Sequence, residues 1–317
     1  MNKAVANPAI LPDSNVTRRS FVAAGLLAAG PVGFLDGGSL SAKELKKGEW
    51  IDSHVHVWTP DTVRYPLAGG FKKADMAPAS FTPEELFHHS KPVGVSRIVL
   101  IQMSFYGFDN SYMTDMMKAH KGVFSGVAVI DENETPGQNM KNLSKMGVRG
   151  FRILPFKDPK NWLEGAGMVE MWKTGAQTGQ AMCCLTNPEN LPQIDAMCEK
   201  HPGTPVVIDH FGRIGPNQEK NLDNLCRLAR HKKTSVKVSA FYAFSKKPDY
   251  SDMGPMIRRL LDSFGPDRLM WASDCPFQIN PGHNYANSIN LIKDKLDFLS
   301  EGDKEYLLQK TAARLFF

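Results

Sequence analysis

The sequence predicts an α/β protein of the (β/α)8 TIM-barrel class. Three observations carry that expectation: short β-type runs recur eight times beyond residue 50, helix-like segments fall between them, and polar residues gather at the C-terminal ends of the runs. In order, the runs are Trp50 to Val57, Arg97 to Met103, Phe124 to Ile130, Val148 to Ile153, Gln180 to Leu185, Pro205 to Asp209, Ser235 to Ser239 and Leu269 to Ser273. Amphipathic stretches predict helices at Thr82 to His89, Asn110 to His120, Pro136 to Met146, Met168 to Thr178, Leu191 to His201 and Asn221 to His231. The start Thr82-Pro83-Glu84-Glu85 offers a capping hydroxyl and a proline preset for the first helical turn. Eight such units match one barrel in size, so 43–317 reads as a single domain. Thr59 to Ser80, rich in Pro, Gly and Ala, is too long for a plain βα turn and is expected to form a lid or rim over the barrel mouth. A doubly wound open sheet is the rival architecture, but no glycine-rich phosphate loop follows the first run.

The chain has 317 residues, 42% hydrophobic and 22% charged, which suits a globular protein with a large core. A formal net charge of +5 without a basic run argues against a nucleic-acid surface and leaves small anionic molecules as expected ligands. Ahead of the barrel, Thr17-Arg18-Arg19-Ser20-Phe21 precedes an Ala- and Gly-rich apolar stretch from Val22 to Leu35. The stretch is too short and weakly hydrophobic for stable membrane insertion. Paired arginines, a modest apolar region and the small residues around Ser39-Leu40-Ser41-Ala42 resemble a twin-arginine signal over 1–42. That signal implies the twin-arginine export machinery as partner, export in the folded state and a periplasmic location, with the mature chain beginning near Lys43. The five cysteines, Cys183, Cys184, Cys198, Cys226 and Cys275, form no C-x-x-C pair and are read as free thiols. Cys183 and Cys184 should lie on opposite faces of one strand as small buried residues.

The chemistry begins at Asp52-Ser53-His54-Val55-His56. Strict strand alternation would place Asp52, His54 and His56 on one face and Ile51, Val55 and Val57 on the other. Two imidazoles on one face suit a shared metal ion or a polarised substrate oxygen, with Asp52 as their support. In such barrels catalytic groups sit at the C-terminal strand ends. That filter selects His54 and His56, then Gln102 and Ser104 on the second run, Arg152 on the fourth, His210 after the sixth and Asp274 after the eighth. Parity is expected to set Ile208 beneath His210 and Ala272 beneath Asp274. Taken singly, each has a structural explanation as a rim residue, helix cap or ion-pair partner; their gathering on one rim favours a site. A guanidinium at Arg152, and one at Arg213 just past His210, would suit a substrate carboxylate. Lys237 is left open as a member of an ion pair low in the barrel, and His283 is placed within reach of the mouth.

With these residues in view, the region from about Gly48 to Phe317 resembles the amidohydrolase-2 branch of the amidohydrolase superfamily. The motifs that carry the likeness are Ile51 to Trp58, Gly147 to Arg152, Val207 to Gly212 and Phe264 to Pro276. Within the branch it is most similar to the lactonase group that includes 2-pyrone-4,6-dicarboxylate hydrolase and the sugar lactonases. The resemblance implies roles for the H-x-H imidazoles at His54 and His56 and for a final acid at Asp274. Decarboxylases of the branch carry histidines on both the fifth and sixth strands, whereas here the fifth reads Ala181-Met182-Cys183-Cys184-Leu185-Thr186.

The expected reaction is opening of a lactone or related carboxylate-bearing ester. Asp274 would be general base, while His54, His56 and His210 polarise the carbonyl directly or through a divalent metal, zinc first, held with Asp274. Both metal-assisted and metal-free routes stay open. Non-oxidative decarboxylation of an aromatic or unsaturated acid is the alternative, and a non-catalytic binding barrel is a third.

Overall fold

The structure, a computed structural model, describes residue 46 and residues 48–155 and 161–317. The expected signal, 1–42, lies outside the described residues. The eight strands are β1 (Trp50–Val55), β2 (Val95–Ile101), β3 (Phe124–Ala128), β4 (Val148–Ile153), β5 (Ala181–Cys184), β6 (Val206–Ile208), β7 (Thr234–Ser239) and β8 (Leu269–Ala272). They pair in parallel, in the order β1 to β8. Alternation sorts their side chains into two cores. Ile51, Val99, Ile101, Val127, Ala181, Cys183, Val207 and Met270 fill the interior, while Val55, Leu100, Phe151, Met182, Cys184, Ile208 and Trp271 belong to the larger layer under the helices. Cys183 and Cys184 therefore fall on opposite faces, as expected, and all five cysteines are free.

The helices are α1 (Pro83–Ser90), α2 (Ser111–Ala119), α3 (Pro136–Lys145), α4 (Ala166–Thr178), α5 (Leu191–Lys200), α6 (Glu219–Arg227), a single turn α7 (Phe241–Phe244), α8 (Gly254–Phe264), α9 (Tyr285–Asn290), α10 (Glu301–Glu305) and α11 (Thr311–Phe316). At α1 the Thr82 hydroxyl accepts the Glu85 N–H and the Glu85 carboxylate accepts the Thr82 N–H, a closed capping box with Pro83 in the first turn. Ala312 and Phe316 of α11 join the interior cluster, so the chain's C-terminus fills the barrel floor. None of the described helices is long and apolar enough to cross a membrane.

Between β1 and β8 the barrel closes through peptide groups that belong to the site itself. The Asp274 N–H donates to the His54 carbonyl at 2.9 Å, and the His56 N–H to the Cys275 carbonyl at 2.9 Å. Ser53 Oγ adds a bond to the Trp271 carbonyl at 2.7 Å. The segment 59–80 lies along the loop after β2 and is tied there by Ala68 N–H to the Phe105 carbonyl and by Tyr65 Oη to Asp115 on α2.

β1 departs from the strict alternation that its sequence predicts. Asp52 pairs with Ile98 and Val55 with Leu100, so three steps along β1 match two along β2, and an extra residue is accommodated between them. Asp52 and Val55 consequently face outward, Ile51 faces the interior, and the bulge delivers His54 inward. The expectation that Asp52 shares a face with His54 is corrected. Its carboxylate accepts N–H bonds from Ser273 at 2.9 Å and His54 at 3.2 Å, and an O–H bond from Tyr285 of α9 at 2.7 Å. Asp52 thus clamps the β1–β8 seam and holds the His54 backbone, with the imidazole rings out of its reach. Burial without full compensation pushes its carboxyl up to about 6.

Candidate active site

Four side chains converge at the mouth: His54 and His56 from β1, His210 after β6 and Asp274 after β8. His54 Nε2 lies 3.3 Å from His56 Nε2 and 3.5 Å from Asp274 Oδ1. His56 Nε2 is 3.6 Å from Asp274 Oδ1, and His210 Nε2 is 3.7 Å from Asp274 Oδ2. All four are buried.

His210 does not arrive by alternation. Val207 is interior and Ile208 exterior, so Asp209 points inward and His210 would point out. His210 instead adopts φ 50°, and Phe211, Gly212 and Arg213 follow with φ 55°, 63° and 57°, a left-handed turn that swings the imidazole over the mouth. The expectation of Ile208 beneath His210 is overturned: the inward side chains below it are Asp209 and Val207. Asp274 keeps the interior parity of Met270 and Ala272, yet it too is left-handed, at φ 64°. Each such non-glycine residue costs roughly 1–2 kcal/mol. Strain of that kind is retained where surrounding structure enforces it, commonly at functional sites.

Anchors fix each group. His56 Nδ1 is 3.0 Å from the Ile101 carbonyl, which only accepts, so this nitrogen carries the proton and Nε2 presents its lone pair. His210 Nδ1 lies 2.9 Å from Ser239 Oγ. Tyr242 of α7 donates to Asp274 Oδ2 at 2.7 Å. Below them, Lys237 Nζ sits 3.1 Å from His54 Nδ1 and 3.0 Å from Asp209 Oδ1. Lys237 is thus the buried ion-pair member that the sequence left open. Asp209, Ser239 and Tyr242 were not among the sequence candidates. For Asp209 a signal existed, namely a carboxylate at the last inward position of β6; Ser239 and Tyr242 carry no distinguishing pattern.

Electrostatics divide the cluster into one anion and three neutral rings. Burial pushes the His210 imidazole down to about 4, outweighing the opposite pull of Asp274 and Asp209. His54 and His56 are likewise lowered, chiefly by burial. Burial pushes the Asp274 carboxyl up, but facing His210, with His56 and His54 beside it, more than offsets this and holds it below the usual carboxylate range. At neutral pH Asp274 is ionised among uncharged imidazoles. Tyr242, desolvated and beside Asp274, has its phenol raised and stays a hydrogen-bond donor.

Arg152, from β4, brings its charge close enough to act on His56, His210 and Tyr242, and its buried Nε has no hydrogen-bond partner among the described residues. Arg213 donates to Asn187 Oδ1 at 3.2 Å; its guanidinium is lowered first by burial and then by Arg152. Two guanidiniums therefore crowd one side of the mouth. Gln102 is buried and its amide donates to the Gly107 and Asp109 carbonyls, which shapes its own loop. Ser104 starts the short turn Ser104–Tyr106 after β2, and His283 is stacked on Tyr250 near Tyr242.

The donor set suits a divalent ion in composition and spacing. His54, His210 and Asp274 each offer a ligand atom, all within 4.8 Å of one another, and His56 adjoins them. Imidazoles whose second nitrogens are anchored, as at His56 and His210, are typical of metal-binding histidines.

The single-domain (β/α)8 barrel thus brings an aspartate and three imidazoles together at the C-terminal strand ends, where barrels of this class carry their chemistry. The chain belongs to the Amidohydrolase family, whose model matches residues 51–317. It is 28% identical over 283 residues to a 4-sulfomuconolactone hydrolase of Hydrogenophaga intermedia, covering 85% of this chain and 88% of the relative. It is 27% identical over 247 residues to a 2-pyrone-4,6-dicarboxylate hydrolase of Comamonas testosteroni, covering 71% and 76%. Among solved structures, that of a putative 2-pyrone-4,6-dicarboxylic acid hydrolase from Pseudomonas putida superposes with a TM-score of 0.72 at 23% identity, over 85% of this chain and 97% of that one. The chain is accordingly a lactone-hydrolase-like member of the amidohydrolase superfamily.

Proposed function

We propose that this enzyme hydrolyses a lactone, or a related ester, that carries a carboxylate or comparable anionic group. The observation that carries this reading is the ionised Asp274 among neutral imidazoles, with two guanidiniums beside it. Arg152 and Arg213 bind the anionic group and orient the ring. Asp274 takes a proton from water, which the His56 Nε2 lone pair helps to orient; the hydroxide oxygen bonds to the ester carbon while His54 and His210 stabilise the developing oxyanion. The ring C–O bond then breaks, and the leaving oxygen recovers the proton from Asp274, giving an acid and a hydroxyl group. Tyr242 holds Oδ2 of Asp274, and Oδ1 faces His54 and His56. A divalent ion, zinc first, would be held by His56, His210 and Asp274, with His54 beside it, and would supply Lewis-acid polarisation and a more acidic water.

The relatives named above support the lactone class, and the absence of a histidine on β5 disfavours decarboxylation. Incubation with 4-sulfomuconolactone, 2-pyrone-4,6-dicarboxylate and a sugar lactone is expected to yield a ring-opened acid from one of the anionic pair. Release of CO2 without such an acid overturns the reading in favour of decarboxylation. Arg18-Arg19 and the apolar stretch behind them support export to the periplasm by the twin-arginine machinery. Cell fractionation of wild type and an Arg18→Lys/Arg19→Lys variant tests it; unchanged periplasmic recovery of the variant sinks it.

A further inference from the structure

Lys237 and Asp209 form an ion pair with no solvent exposure, 3.0 Å apart, in the barrel interior below the reacting groups. The proposed hydrolysis gives neither a step. We propose that they are positioning residues for His54: Lys237 fixes this imidazole as the Nε2–H tautomer, a hydrogen-bond donor toward the reacting centre, and His54 becomes a metal ligand only when an acceptor at position 209 replaces Lys237 at its Nδ1.

The Lys237 contact sets the tautomer, and the His56 contact is compatible with it. A lysine ammonium carries three N–H donors and no acceptor. Lys237 Nζ lies 3.1 Å from His54 Nδ1. That nitrogen must therefore accept, and the one proton of a neutral ring resides on Nε2. At the other end, His54 Nε2 meets His56 Nε2 at 3.3 Å, a separation that suits one shared proton or one shared cation. His56 is fixed as the acceptor, because its Nδ1–H is committed to the Ile101 carbonyl. Where a proton is shared, it therefore belongs to His54 Nε2. Bond polarity thus runs one way, from Lys237 through His54 to His56 or to Asp274 Oδ1.

The consequence concerns metal binding. A cation at the mouth needs lone pairs, and with Lys237 in place His54 offers an N–H. Turning His54 into a ligand means moving its proton to Nδ1, where an acceptor must be waiting. Asp209 Oδ1 is 3.5 Å from that nitrogen and 3.0 Å from Lys237 Nζ, so removal of the ammonium frees it to serve as that acceptor. A carboxylate behind a histidine is the usual support for a metal-bound imidazole. The buried pair therefore holds both settings of His54, and Lys237 selects the donor setting.

This inference rests on the hydrolase reading only for the statement that His54 faces the substrate carbonyl; its test needs no turnover. The full chain, labelled with 15N at histidine, is studied by NMR correlations of ring nitrogens to carbon-bound ring protons, with His54→Gln used to assign the signal. Wild type is expected to show His54 protonated at Nε2 alone. An Nδ1–H or doubly protonated ring overturns the proposal. Zinc chloride titrations are then compared between wild type and the charge-balanced Lys237→Met/Asp209→Asn variant, in which the introduced side-chain amide keeps an acceptor oxygen. The variant is expected to switch His54 to Nδ1–H and to bind zinc about 10- to 100-fold more tightly. Unchanged affinity in a folded variant, or tighter binding with His54 still protonated at Nε2, overturns it. Should the variant fail to fold, the wild-type tautomer decides alone. A protein that opens no lactone yet shows His54 as the Nε2–H form loses the hydrolase reading and keeps this one.

Discussion

The two walls of the mouth are built by opposite means. On the β1 wall, His54 and His56 ride a bulged strand sewn to β8 by main-chain bonds, and His56 is anchored on the Ile101 carbonyl. On the other wall, His210 and Asp274 sit beyond the strand ends in left-handed backbone, and although the Asp274 N–H joins the β1 seam, both side chains lean on the hydroxyls of Ser239 and Tyr242. Peptide groups survive substitution of the residues that carry them, whereas hydroxyls vanish with theirs. The first wall is therefore a rigid reference, and the second is where single changes tune basicity and position.

The largest test removes the base. Asp274→Asn keeps the shape of the second wall but cannot take a proton, and kcat for lactone opening is expected to fall roughly 10²–10⁴-fold with an unchanged circular dichroism spectrum. Undiminished turnover would end the assignment of the base to this wall. Next in size is the seam that supports the first wall. Asp52→Ala deletes three buried hydrogen bonds and leaves the Ser273 N–H and Tyr285 O–H unpaired, so urea unfolding should show a loss of about 3–5 kcal/mol. A loss below about 1 kcal/mol would mean that the bulge stands without its clamp.

A third test is the pH dependence of stability. The His210 imidazole is held at about 4 in the folded state against an ordinary value of 6.5. The folded protein thus binds fewer protons than the unfolded chain across that window. His210 exacts no penalty above pH 6.5, and stability falls as pH drops through the window, by about 3 kcal/mol once below 4. Urea midpoints of wild type and His210→Gln at pH 4 to 7 should differ in slope by this amount, and parallel slopes would contradict it. The smallest effects come from the hydroxyl anchors. Tyr242→Phe and Ser239→Ala are each expected to lower kcat about 5- to 13-fold, in keeping with about 1–1.5 kcal/mol for one hydrogen bond, with little change in KM. Equal insensitivity of both variants would erase the contrast between the walls.

Much of this architecture was legible beforehand, for identifiable reasons. β4 runs from Val148 to Ile153, the bounds its sequence predicts, because a barrel strand lies between the interior and the helix layer and is mostly buried on both faces. Other strand ends shifted by one or two residues, as at Val55 and Ile101, where the chain leaves the ladder to reach the mouth. The converging residues His54, His56, His210 and Asp274 were found by asking which polar side chains end a strand. Asp52 was misplaced and His210 was located by the wrong parity, because a bulge and a left-handed turn leave no mark in a period-two pattern. Gln102 passed the same filter, yet its amide is spent on its own loop.

By itself, the sequence determined the eightfold alternation of strand and helix, the gathering of its chemistry at one rim and the absence of a histidine from β5, since these follow from side-chain type and spacing. Only the tertiary structure decided which way each imidazole faces, which hydroxyl or lysine stands behind it, and therefore which nitrogen holds a proton. Those contacts join residues as far apart as His54 and Lys237, and a hydrogen bond is set by positions in space that local pattern does not encode.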